Sequence, residues 1–110
     1  LMAPKIFTIK KRSTFVNIRE NGEFIRSKSF NIQILKDNNL KDTISVGYTA
    51  TRQLGNAVIR NKAKRKMREL SRKVISKYGK INFYYVLIAK SSILTTSFNK
   101  LEIELEKTIK

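Results

Sequence analysis

The 110-residue chain carries 24 Lys and Arg against 8 Asp and Glu, a formal net charge of +16, with 41% hydrophobic residues. That length suits one domain with a modest core, and the apolar share is too high for a disordered polycation. Cys, His and Trp are absent, which excludes a disulfide framework, a thiolate metal site and histidine acid–base chemistry, while the charge points to a polyanionic partner.

Leu1 to Arg12 contains the sole proline, Pro4, and the basic run Lys10-Lys11-Arg12, and is expected to form a mobile or loosely docked arm. It lacks the roughly 7 to 15 residue apolar core of a secretory signal. No apolar run approaches the ~20 residues that span a bilayer, so a cytoplasmic protein with no membrane partner is expected. Ser13 can cap a short helix over Thr14 to Glu20, in which Phe15 and Ile18 share a face. Asn21-Gly22 then stops it, Gly22 suiting the left-handed position beyond a helix end.

Phe24 to Asp37 reads as strand, with Phe30, Ile32 and Ile34 alternating with Asn31 and Gln33. After the turn-rich Asp37-Asn38-Asn39, Thr43 to Thr51 alternates again, placing Ile44, Val46, Tyr48 and Ala50 opposite Ser45, Gly47, Thr49 and Thr51. Two such strands joined by a short loop predict an antiparallel pair. Its polar face would carry Asn31, Gln33, Gly47 and Thr49, and its apolar face would meet a helix.

Gly55-Asn56 signals a turn and a helix N-cap. Beyond it Ile59, Ala63, Met67, Leu70, Val74 and Tyr78 recur at spacings of three and four and form one apolar stripe. Arg60, Asn61, Lys64, Arg65, Arg68 and Arg72 centre roughly 130° from that stripe at 3.6 residues per turn. Solvation is the ordinary fate of a charged helix face. Here, however, Arg60/Lys64, Lys64/Arg68 and Arg68/Arg72 are like-charged i,i+4 pairs, each repelling by roughly 0.2 to 0.5 kcal/mol, and Glu69 is the helix's only acid. A face that repels itself in this way fits a polyanion.

Gly79 supplies a stop, and Ile81 to Ala89, dense in aromatic and branched residues, is predicted as a central strand buried on both faces. Ser91 to Thr96 is loop. Ser97 caps a last helix with Phe98, Leu101, Leu105 and Ile109 on one stripe. The order is helix, two or three strands, basic helix, strand, helix: a single α+β domain spanning residues 1–110, built as a sandwich.

The block Gly55-Asn56-Ala57-Val58-Ile59-Arg60-Asn61-Lys62-Ala63-Lys64-Arg65 resembles the Gly-Asn-Ala-Val-x-Arg-Asn-Arg-x-Lys-Arg helix of the bacterial ribonuclease P protein component. Lys62 departs from the signature, keeping the charge but not the planar bidentate fork of Arg. The basic start, the Phe15 helix, the Val46-Gly47 strand, the Tyr84 to Lys90 strand and the terminal helix match in order, so the resemblance covers nearly the whole chain. It implies a two-layer αβββαβα sandwich with a four-stranded mixed sheet and a left-handed crossover through the basic helix. It also implies a one-to-one complex of a monomer with a large catalytic RNA that removes the 5′ leader of precursor tRNA. By position, the implied contacts to the RNA subunit are Arg60, Asn61, Lys62, Lys64, Arg65, Arg68 and Arg72. Those to the leader are Phe15, Arg19, Asn31, Gln33, Thr49 and Arg52, with fewer aromatics than the family's cleft because of Arg19 and Gln33. Divalent metal (Mg2+) would act mainly through the RNA, with one ion conceivable near Asn61 in the complex.

The residues themselves agree with a chain that contributes no catalytic group. Phosphodiester cleavage needs a nucleophile activator, a leaving-group acid or paired metals, yet Glu20, Glu23, Asp37, Asp42, Glu69 and Glu102 are scattered along the sequence. Phe15 on its own reads as a core aromatic, and only the resemblance makes it a stacking platform. Two other classes stay open: a structural RNA binder of the small-ribosomal-protein kind, which leaves the Gly55 to Asn61 block unexplained, and a duplex-DNA architectural protein, for which no groove-reading element repeats.

Overall fold

The computed structural model describes residues 3–110, so the first two residues of the expected arm lie outside it. Its elements are β1 (Ile6–Thr8), α1 (Arg12–Asn21), β2 (Glu23–Arg26), β3 (Phe30–Lys36), β4 (Ile44–Thr49), α2 (Ala57–Leu70), β5 (Phe83–Ala89) and α3 (Phe98–Ile109). The strands form one mixed sheet in the order β1-β4-β5-β3-β2. As expected, the sequence that is apolar on both faces occupies the centre.

Three features of the sheet differ from the expectations. The first concerns the arm, whose Ile6-Phe7-Thr8 segment is a fifth strand, parallel to β4 with Ile6 opposite Ile44 and Thr8 opposite Val46. Ile9 continues it with an amide bond to the Val46 carbonyl at 2.9 Å and is itself buried. The flanking cations disguised a short apolar segment that covers what would otherwise be an open sheet edge. Secondly, Phe24 to Asp37 is not one strand but a hairpin, broken at Ser27-Lys28-Ser29. Glu104 of α3 fastens that break, accepting from the Ser27 hydroxyl at 2.5 Å and the Ser29 amide at 2.7 Å.

The third difference is that β3 and β4 do not pair. β5 lies between them, antiparallel to β3 and parallel to β4. Asn82, at the entrance to β5, accounts for this geometry: its carbonyl accepts from Asp37, its amide donates to the Thr43 carbonyl, and its side-chain oxygen accepts from the Asp42 amide, each at 2.8 Å. The loop meant to join neighbours instead straddles a third strand.

Alternation along β5 separates two cores. Tyr85 and Leu87 pack with Phe30, Ile32, Ile44 and Val46 against Ala63, Met67 and Leu70 of α2 and Leu101 and Leu105 of α3. Val86 packs on the other face with Ile9 and Ile18, flanked by Phe15, Leu35, Tyr84 and Ile88. α1 therefore forms a third, partial layer beyond the expected two.

The helix ends divide similarly. Asn56 caps α2, its side chain accepting from the Ile59 amide at 3.0 Å, and Ser97 caps α3 through the Lys100 amide at 3.4 Å. Ser13 caps nothing; α1 begins at Arg12, with the Lys11 carbonyl receiving the Thr14 and Phe15 amides. Gly22, at φ −86°, does not adopt the left-handed conformation expected of it, whereas Gly79, at φ −67°, ends the basic helix after Tyr78 as expected. α2 runs on through a π-helical turn, Ser71–Ile75, and a last α-turn, Ser76–Tyr78. No helix among the described residues is long and apolar enough to cross a membrane.

Candidate nucleic-acid interface

The sheet register dictates which side chains share the α1 face. Gly47, Val86, Gln33 and Phe24 form one transverse row across β4, β5, β3 and β2, and Thr49, Ile88, Asn31 and Arg26 form the next. Helical spacing brings Arg12, Phe15, Val16 and Arg19 of α1 to the same side. Between them lies an open groove of about 520 Å³ with Val86 and Ile88 in its floor, Phe15 and Val16 in one wall, and Tyr48, Thr49 and Ala50 opposite. Lys10, Arg12, Arg19, Gln33 and Lys64 complete the lining, and no carboxylate contributes to it.

Phe15 is seated by a glycine. A Cβ at Gly47 would stand 2.5 Å from the Phe15 Cε1 and 2.8 Å from its Cζ, so the absence of a side chain lets the ring lie directly on the β4 backbone. The ring is partly buried among Ile9, Ile18 and Val86 and also lines the groove. The two readings of this aromatic are thus compatible.

α2 closes the β4 end of the groove. Gly55, at φ 153°, makes the turn that launches the helix, and the Arg60 guanidinium donates to the Gly55 carbonyl at 2.9 Å. Lys64 points to the groove, whereas Lys62 and Arg65 lie on the flank facing Phe98, with Lys66 and Glu69. Asn61, Arg68 and Arg72 are exposed between these flanks. The cationic helix therefore divides its side chains among two flanks and a crest.

Tyr48 links groove and helix. Its hydroxyl lies 2.5 Å from Ser71 Oγ, which itself donates to the Arg68 carbonyl at 2.9 Å, so the tyrosine is the donor in the first bond. The Arg68 guanidinium sits 5.7 Å from the centre of the Tyr48 ring. Burial raises the Tyr48 pKa above its ordinary value, against the opposing pull of the Ser71 bond and of Arg68 and Arg72. It is a neutral hydrogen-bond donor at physiological pH.

Of the residues expected at the leader, Phe15, Arg19, Gln33 and Thr49 converge on the groove. Asn31 lies on the same sheet face but outside the lining, its side-chain oxygen buried without a partner. Arg52 is exposed on the single-turn helix Arg52–Leu54, also outside the lining. Lys10, Arg12, Val16, Tyr48, Ala50, Val86 and Ile88 belong to the lining without having been expected there. The Lys10-Lys11-Arg12 run was visible as charge, but only the β1 pairing brings it beside α1. Lys66 was a different omission: its ammonium donates to the Ile93 carbonyl at 3.0 Å, tying α2 to the segment before α3.

Asn61 offers one amide oxygen among Arg60, Lys62, Lys64 and Arg65. Such a cationic surround does not suit a divalent ion held by this chain alone, since hard cations favour several anionic or carbonyl oxygens.

The ribonuclease P family profile matches residues 3–110. Among sequence relatives, the ribonuclease P protein component of Symbiobacterium thermophilum is 31% identical over 103 residues, covering 94% of this chain and 88% of that protein. That of Mesoplasma florum is 33% identical over 101 residues, covering 92% and 90%. The solved RNase P protein of Staphylococcus aureus superposes with a TM-score of 0.76 at 27% identity, covering 93% of this chain and 91% of that one. The RNase P protein of Thermotoga maritima, at 24% identity, shares the fold with a TM-score of 0.80 over 93% and 94%. With the profile spanning nearly every residue, and with the Gly55 to Arg65 block on the helix that borders the groove, this chain belongs to the ribonuclease P protein family.

Proposed function

We propose that the chain is the protein subunit of a ribonuclease P ribonucleoprotein, an endoribonuclease that matures the 5′ end of tRNA in the cytoplasm. One copy binds one catalytic RNA through Arg60, Asn61, Lys62, Lys64, Arg65, Arg68 and Arg72. The groove receives the single-stranded 5′ leader of precursor tRNA. The observation that carries this reading is the groove's chemistry: an apolar floor beside Phe15, four cations on the lining and no acid. Such a surface suits a flexible polyanion whose bases stack while its phosphates are neutralised.

Lys64 borders both surfaces, so the RNA subunit and the leader would meet along α2. Catalysis rests with the RNA and the Mg2+ it holds; this chain's contribution is to neutralise phosphates and orient the leader. Reduced phosphate repulsion lowers the metal concentration that the complex requires. The same reading assigns a left-handed sense to the β4-α2-β5 crossover, against the usual right-handed preference. The test is a comparison of precursor and mature tRNA binding by the reconstituted complex. Phe15→Ala should weaken the precursor selectively; equal weakening of both would remove the leader from the groove.

A further inference from the structure

The two transverse rows that floor the groove do not end at β3. Phe24 stands directly opposite Gln33 and Arg26 directly opposite Asn31 on the edge strand β2, so both project from the same sheet face as the groove. Phe24 is 49% exposed at the edge of the sheet face that packs against α1, and the Arg26 guanidinium lies 6.0 Å from its ring centre. That distance is at the outer limit of a cation–π contact, which leaves the arginine free to turn towards a phosphate. Glu23, the nearest acid along the strand, pairs with Ile34 and alternates to the opposite face.

We propose that Phe24 and Arg26 form a second stacking subsite for single-stranded RNA, at the far end of the groove, taking a leader nucleotide further from the cleavage point than the one at Phe15. The inference rests on the leader-binding reading above and extends it. Charge favours RNA over a protein partner: Lys28 follows in the hairpin turn and Lys90 donates to the Ser27 carbonyl at 2.6 Å, so with Arg26 three cations outnumber the one carboxylate there, Glu104, which already accepts from Ser27 and Ser29. Chemistry favours it too, because an aromatic face beside an arginine accepts any base without reading its edge. Gln33, a polar floor residue between Phe15 and Phe24, can bond a base edge but supplies no stacking face, which makes its cross-strand neighbour the next platform.

Geometry sets the length dependence. From β4 to β2 is three inter-strand spacings, about 14 Å, on the order of four stacked nucleotides at about 3.4 Å each. A short leader therefore reaches Phe15 and not Phe24.

The test uses the complex reconstituted with a ribonuclease P RNA and precursor tRNAs whose leaders lengthen one nucleotide at a time. Dissociation constants are compared for the wild type, Phe24→Ala, Phe24→Tyr and Phe15→Ala, with sedimentation of each protein alone. Phe24→Ala should weaken long-leader substrates by about five- to tenfold and leave short-leader and mature tRNA unchanged, while Phe24→Tyr retains wild-type affinity. Equal weakening at every length would make Phe24 merely structural and overturn the subsite. A leader-dependent loss in Phe15→Ala without one in Phe24→Ala would overturn the subsite and leave the groove reading standing. A wild type indifferent to the leader would remove both. Self-association lost in Phe24→Ala with leader binding intact would assign this face to a second copy of the chain and also overturn the proposal.

Discussion

Gly47→Ala tests the packing on which the groove is built. The added methyl carbon would lie 2.5 Å from the Phe15 ring, with Ile9 Cδ1 also close at 3.3 Å. Restoring an ordinary carbon contact of about 3.5 Å requires the ring to move by about 1 Å, and the groove is the open direction. Overpacking of this kind costs about 1 to 3 kcal/mol, and the stiffer unfolded chain returns about 0.4 to 1 kcal/mol. The net loss should be about 1 to 2 kcal/mol, or about 4 to 8 °C in Tm for a domain of this size. Thermal unfolding of a double-mutant cycle isolates the contact: with Phe15→Ala already in place, Gly47→Ala should be neutral or stabilising, a coupling of at least about 1 kcal/mol. An identical Tm shift in both backgrounds would refute the seating of Phe15 on the β4 backbone.

Arg65→Glu with Arg68→Glu should cripple assembly with the RNA subunit and, if each arginine meets one phosphate, flatten the slope of log K against log salt by about 1.4 to 1.8. Both residues are exposed, so the unfolding curve should change by no more than about 1 kcal/mol, chiefly through the Arg68–Tyr48 contact. Glu104→Ala removes the acceptor of two bonds in the β2–β3 turn and should cost about 2 kcal/mol in urea unfolding, with faster amide exchange confined to the hairpin. Burial raises the pKa of Tyr48 and Tyr85 above 10.0 in the folded chain. The unfolded chain therefore loses those protons first, and the stability they preserve below pH 10 falls as pH climbs past it. Tyr48→Phe should make that alkaline decline shallower when stability is measured by denaturant on both sides of pH 10.

Local signals carried much of the architecture. The caps at Asn56 and Ser97, the apolar stripe of α2, the doubly buried β5 and the shared face of Asn31, Gln33, Gly47 and Thr49 all follow from spacing and residue type. Long-range choices were less legible. Nothing between Asp37 and Thr43 announces that the loop spans a strand 40 residues later; the bonds to Asn82 emerge only on folding. Nor did alternation in Phe24 to Asp37 reveal the hairpin, because the residue that fixes its turn, Glu104, lies 75 residues from Ser29. β1 was hidden for a third reason, since three apolar-rich positions among cations acquire strand geometry only from β4. The groove inherited these limits. Its α1 and β3 members were nameable in advance, but Lys10 and Arg12 depended on β1, and Tyr48, whose alternation assigned it to the core, reaches the rim as well.

The role proposed for this chain is to supply charge and leader contacts to a catalytic RNA. Its most direct test is cleavage of precursor tRNA by ribonuclease P RNA at low magnesium, with and without this protein. Correct 5′ leader removal that appears only when the protein is added is the predicted result. Tight binding to the RNA without any stimulation, repeated with the cognate RNA, would contradict the claim and leave a general structural RNA binder.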